Sequence, residues 1–114
     1  TSFDPAIDVR EQDDAYLVVV DLPGVDKDTI NINAEPGSVT ISGERTIEKE
    51  EQDDTGGFYR AERSYGAFQR TIPLVKSIVP EKATAESAEG VLMIKLPKEK
   101  KEGQDKGGAR IEVR

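Results

Sequence analysis

Residues 85–97 read Ala85-Glu86-Ser87-Ala88-Glu89-Gly90-Val91-Leu92-Met93-Ile94-Lys95-Leu96-Pro97. This is a short strand, a glycine turn and a second strand, with Leu92, Ile94 and Leu96 on one face and Lys95 on the other. Gly90 stands where a tight turn needs positive φ, which glycine adopts without steric cost. The same period of two runs through the rest of the chain, and no segment gives a long amphipathic helix. Ile7 and Val9 alternate with Asp8 and Arg10, while Ile30, Ile32 and Ala34 alternate with Asn31, Asn33 and Glu35. Glu35-Pro36-Gly37-Ser38 is a turn signal, after which Val39, Ile41 and Gly43 continue as the next strand. The unbroken apolar run at 16–20 predicts a strand covered on both faces. Many short strands spaced by Gly and Pro turns predict an all-β sandwich.

Three segments break the alternation. Residues 22–28 are a turn-rich connection, with Asp26 placed to cap a single helical turn. Residues 44–57 are crowded with Glu and Asp and are long for a hairpin loop. Residues 98–108 are rich in Lys, Glu and Gly without an apolar anchor, which predicts a mobile linker.

A chain of 114 residues supports one domain. Hydrophobic residues at 35% against 34% charged allow only a thin core, so a partner chain is expected to complete the burial. The formal charge of -7 argues against nucleic acid, which needs a positive face. No apolar run approaches the roughly 18 residues of a membrane span. The chain has no cysteine and no histidine, which excludes disulfides, thiolate zinc sites, Cys nucleophiles and His-based triads. Lack of cysteine suits a reducing cytoplasm. The chain opens on Thr1 and shows no signal peptide, and an N-terminal arm is expected to precede it. No nucleotide-binding glycine loop is present, and no two carboxylates stand out as an acid and base pair. Neither an enzyme nor a cofactor or metal is expected.

As a strand, residues 68–74 put Phe68, Arg70, Ile72 and Leu74 on one face and Gln69, Thr71 and Pro73 on the other. An arginine on an apolar face needs a carboxylate, within the sandwich or across an interface, because a lone desolvated charge is costly. The alternative places Arg70 at a sheet edge, with its head in water.

Arg63-Ser64-Tyr65-Gly66-Ala67-Phe68-Gln69-Arg70-Thr71-Ile72-Pro73-Leu74 resembles a small heat-shock protein signature: an arginine, a short turn, Gly-x-Phe-x-Arg and an apolar-Pro ending. Val75 stands where that family usually has proline. A second signature, Ala-x-x-x-Asn/Asp-Gly-Val-Leu, is met by Ala85, Gly90, Val91 and Leu92, with Glu89 in place of Asn or Asp and Ser87 where a bulkier apolar residue is common. Pro5-Ala6-Ile7-Asp8-Val9, Leu22-Pro23-Gly24-Val25 and Val39-Thr40-Ile41-Ser42-Gly43-Glu44-Arg45 agree. The resemblance covers nearly all of residues 3–98 and is to the bacterial and plant Hsp20-type branch.

That resemblance implies an immunoglobulin-like β-sandwich, the α-crystallin domain, over residues 1–98, with an exchange loop at about 44–62. In this branch the loop carries a strand that crosses to the partner's sheet, here Phe58, Tyr59, Arg60, Ala61 and Glu62, and the arginine matching Arg70 supports the dimer. The residues suit that role, since Phe58 and Tyr59 have something to bury and the acidic run at 48–54 extends the loop by repulsion; the alternative is a solvated excursion. Residues 99–114 form a C-terminal extension carrying Ile111-Glu112-Val113, whose alternate apolar side chains suit strand addition at a sheet edge. In the family this motif enters a groove of a neighbouring dimer, here between residues 30–35 and 83–88, with Ile30, Ile32, Ala83 and Ala85 on its walls. The implied function is an ATP-independent holdase chaperone without cofactors, whose partners are copies of itself and unfolding client proteins. Two other readings remain: a CS-type co-chaperone adaptor, which usually lacks these signatures, and a generic β-sandwich interaction module.

Overall fold

The computed structural model describes residues 4–52, 59–100 and 109–113. Eight strands follow in order: β1 (Ile7–Glu11), β2 (Ala15–Asp21), β3 (Asn31–Glu35), β4 (Ser38–Gln52), β5 (Tyr59–Pro73), β6 (Thr84–Ala88), β7 (Val91–Pro97) and β8 (Ala109–Ile111). They form two four-stranded sheets, ordered β1-β2-β7-β6 and β5-β4-β3-β8, with antiparallel pairing throughout. The fold is an all-β, immunoglobulin-like sandwich.

Alternation decides what lies between the sheets. Val18 faces Ile94 across β2 and β7, and Ile32 faces Ile41 across β3 and β4. The core contains Tyr16, Val18, Val20, Leu92, Ile94 and Leu96 from one sheet and Ile32, Ala34, Val39, Ile41, Phe68 and Ile72 from the other. Each fully buried aliphatic side chain contributes roughly 1.5–3 kcal/mol of transfer free energy. The run at 16–20 departs from expectation: Leu17 and Val19 are only half-buried, because no strand among the described residues covers the outer face of their sheet. Gly43 lies opposite Phe68, and a Cβ there would stand 2.7 Å from the Phe68 ring, so the bare backbone makes room for the aromatic.

Turns follow local chemistry. Asp26 caps the 3-10 turn Lys27–Thr29 by accepting a hydrogen bond from the Asp28 amide at 3.0 Å. The Thr29 hydroxyl then accepts from the Glu44 amide at 3.0 Å and donates to the Asp26 carbonyl, which pins this turn to β4. Between β6 and β7 the two-residue connection Glu89-Gly90 has φ of 52° and 79°, the double positive φ of a type I′ hairpin. Glycine accepts that geometry freely, whereas a glutamate there is strained.

Two expected loops are partly sheet. β4 continues past Glu44 to Gln52, and β5 runs from Tyr59, in unbroken register from Glu44↔Ala67 to Gln52↔Tyr59. Backbone pairing between the two arms satisfies every other amide along a stretch that the family resemblance made an exchange loop. At the other end of the domain, Lys98 belongs to the sandwich and not to a linker. Only 8% exposed, it sends its Nζ to Glu11 Oε2 at 2.8 Å and to the Gln12 carbonyl, 5.1 Å from the centre of the Tyr16 ring. A buried lysine needs such partners, and the ring face adds cation–π attraction. Lys76 reaches the same carboxylate at 3.4 Å, and its amide donates to the Tyr16 hydroxyl.

Replacing Glu89 by Asn, which tolerates left-handed backbone better, is expected to raise stability by about 0.5–1 kcal/mol, read as a higher melting temperature. The hydrogen bond from Lys98 holds the Glu11 carboxyl below the usual glutamate range, against the opposing effect of desolvation. Because the folded value is depressed, the stability linked to Glu11 is present above the unfolded glutamate pKa and is lost as pH falls towards the folded one. The acid limb of a stability-against-pH curve is therefore expected to flatten in Glu11→Gln, while an unchanged limb would remove Glu11 from the acid response.

Candidate groove and edge surfaces

β6 ends one sheet and β3, apart from the tail strand β8, ends the other on the same side of the sandwich, where the C-terminal residues lie between them. β8 pairs antiparallel with β3, in the register Ile32↔Ile111, Asn33↔Arg110 and Ala34↔Ala109, and Val113 makes a parallel bridge to Ala85 of β6. Ile111 is 5% exposed and belongs to the core; Val113 and Ala83 are partly buried against it, and Glu112 points to solvent. Ile30, Ile32 and Ala85 are buried beneath the tail. Ile111 thus fills a slot between the layers while its backbone completes the ladder. Arg110 Nη2 donates to Asn31 Oδ1 at 3.0 Å on the outer face. An open hollow of about 420 Å³ remains alongside, lined by Lys27, Asp28, Ile30 and residues 110–113.

Arg70 lies on β5, the terminal strand of its sheet, directly opposite Ile41. Its Nη1 contacts Asp4 Oδ1 at 2.7 Å, an ion pair joining the start of the chain to β5 across 66 residues. At 44% side-chain exposure this pair sits at the margin of the interior and in water, so as a single-chain contact it contributes less than about 1 kcal/mol. Tyr59, Arg60, Ala61 and Glu62 pair their backbones with residues 49–52 of the same chain. Phe58 lies outside the described residues.

Sequence reasoning missed three groups. Asp4 gave no signal as the partner of Arg70. The Glu11, Lys76 and Tyr16 cluster joins residues far apart in the chain. Lys98 was detectable, because period two carries the inner face from Leu92 through Ile94 and Leu96 to position 98. Among the described residues no group of acidic side chains could hold a metal ion, and no helix is long and apolar enough to cross a membrane.

The sandwich recurs in known proteins. Residues 8–114 match the model of the Hsp20/alpha crystallin family. The 18 kDa heat shock protein of Clostridium acetobutylicum is 43% identical over 107 residues, covering 94% of this chain and 69% of that protein. Spore protein SP21 of Stigmatella aurantiaca is 39% identical over 97 residues, covering 85% of this chain and 56% of that protein, so this chain spans between half and about two thirds of such relatives. The solved structure of heat shock protein 16.0 from Schizosaccharomyces pombe superposes with a TM-score of 0.70 at 36% identity, covering 90% of this chain and 94% of the other. The chain therefore belongs to the Hsp20/alpha crystallin family, the small heat-shock proteins, whose members are non-enzymatic chaperones that form homo-oligomers.

Proposed function

We propose that the chain acts as an ATP-independent holdase, binding apolar surface on unfolding proteins at its own sheet edges and grooves and so preventing their aggregation in a reducing cytoplasm. The observation that carries this reading is the slot between β3 and β6, apolar along Ile30, Ile32 and Ala85 and closed among the described residues by the three residues of β8 and by Val113. An added strand supplies both parts of such recognition, backbone pairing and alternate side chains. Burial of two aliphatic side chains contributes roughly 3–6 kcal/mol before the cost of ordering the tail is subtracted. The half-buried state of Val113 puts this contact towards the lower end, so it is reversible, and an extended client segment can replace it. The hollow beside the tail gives such a segment room to enter.

The same reading makes the protein a dimer by strand exchange. Among the described residues β1 is an edge strand paired on its β2 side, with Val9 exposed, and it offers an open ladder to a second copy. The arm carrying Tyr59, Arg60, Ala61 and Glu62, preceded by Phe58, is the segment that would add to it, with Arg70 at the base of the arm supporting the contact. The C-terminal anchor residues Ile111 and Val113 then link dimers into larger assemblies.

Replacing residues 48–63 by Asn-Gly closes β4 and β5 with a type I′ turn between Ile47 and Ser64 and removes the arm. A folded monomer is the expected product by sedimentation; a persistent dimer would defeat the exchange reading. Ile111→Ala with Val113→Ala is expected to lower the mass of the assembly by light scattering and to alter protection of a heat-aggregating client. If mass and protection both match the parent at every concentration, the groove and tail have no part in the activity.

A further inference from the structure

The two outer faces of the sandwich differ in chemistry. On the sheet that contains β5, β4 and β3 the outward rungs are Asn31–Ser42–Gln69 and Asn33–Thr40–Thr71, all amides and hydroxyls, as a solvated face requires. On the other sheet the outward rungs are Asp8–Val19–Met93–Glu86 and Arg10–Leu17–Lys95–Thr84. Their middle is apolar: Leu17 and Val19 are half-buried and Met93 is 45% exposed. The half-buried Val91 extends this strip by one outward position along β7. An apolar centre inside a charged rim is the anatomy of a contact surface.

The signs of the rim charges select the occupant. The rung through Val19 has a carboxylate at each end, Asp8 and Glu86, whereas the rung through Leu17 carries Arg10 and Lys95. We propose that this face binds the same face of a second copy of the chain, about a two-fold axis in the contact plane, perpendicular to the strands and midway between the two rungs. That axis lays the Val19 rung of each copy on the Leu17 rung of the other, so that opposite charges meet. Within one chain Arg10 Nε holds Asp8 Oδ2 at 2.8 Å, with both side chains more than half exposed. Two such pairs brought together form a ring of four alternating charges. Val19 packs on the partner's Leu17, and Met93 lies along the aliphatic stem of the partner's Lys95. A two-fold axis parallel to the strands, the other symmetric way to stack this face, lays each rung on its own copy. Asp8 would then meet the partner's Glu86, a like-charge contact that disfavours this arrangement.

Three outward rungs of a four-stranded sheet span about 20 Å by 20 Å, roughly 400 Å² per copy and half of what a stable pair buries. The contact is therefore transient between free subunits, and it gains strength where other contacts already hold copies at high effective concentration. It uses neither the groove between β3 and β6 nor the paired arms of β4 and β5, so it stands or falls independently of the reading above.

Because the chain has no cysteine, the contact can be mapped with single thiols. Full chains carrying Leu17→Cys and Val19→Cys are mixed at high micromolar concentration and treated with a short bismaleimide, able to cross the gap of about 10 Å between stacked sheets. Links from position 17 of one chain to position 19 of another are expected to dominate, while Thr71→Cys, on the polar face, reports the background of random collision. Links from Val19→Cys to Met93→Cys in place of these would overturn the proposed axis, and a yield no higher than the Thr71→Cys background would overturn the contact. A second readout isolates the charges. Added to the cysteine chains, Asp8→Arg leaves only positive charge at the β1 side of the face, and Arg10→Asp leaves only negative charge. Each variant alone is expected to lose linking about tenfold, and an equimolar mixture of the two to regain it. Both variants lose the ion pair inside the chain and mixing does not restore it, so recovery reports contact between copies. Linking that survives either substitution alone, or that fails to return on mixing, would overturn the charge pairing on which the proposal stands.

Discussion

β3 and β6 meet at one margin of the sandwich, where each is the last strand of the domain proper. Two demands coincide there. Without β8 the edge of β3 would present unpaired backbone groups, and the interior behind it, with Ile30, Ile32 and Ala85, is apolar. An open edge beside an open core invites any extended apolar segment, which is a hazard in most proteins. β8 meets both demands together, by pairing with β3 and by seating Ile111 in the slot. A three-residue strand does this only weakly, and the functional reading depends on that weakness. A margin sealed by a long strand could not be reopened.

The rest of the domain compensates for a thin core with polar fastenings between distant elements. Thr29 ties the turn after β2 to β4 through Glu44, and Tyr16 receives the Lys76 amide. The Glu11 and Lys98 pair joins the end of β1 to the end of β7. These contacts sit at the ends of the layers, where alternating strands run out of apolar residues. They also give the flanking segments defined starting points.

The outer faces show a different division. Leu17 and Val19 are half-buried and Met93 is exposed on the outside of the sheet formed by β1, β2, β7 and β6. The continuous apolar run of β2 reads in sequence as a strand covered twice, but the described residues supply one cover. Similarly, the paired arms of β4 and β5 satisfy their backbones within one chain, although their charge-rich sequence suggested an unpaired loop. In both cases the residue pattern states a capacity for contact without naming the partner.

Whatever local sterics and the period of two control was legible in the order of residues. That includes the strands, the inner face from Leu92 to Leu96, the Asp26 cap, and the positive-φ turn at Gly90. It also includes the apolar pair Ile111 and Val113 as a strand able to add to an edge. Lys98 was half legible, since the period placed it inside while its charge argued for water, and only a carboxylate from β1 resolved the conflict. The pairing of Arg70 with Asp4, the continuation of β4 to Gln52 and the register of β8 on β3 emerge only in the folded chain. The reason is physical: backbone periodicity specifies which face a side chain takes, but which distant strand or charge arrives there depends on loop geometry and on the competition among all available edges.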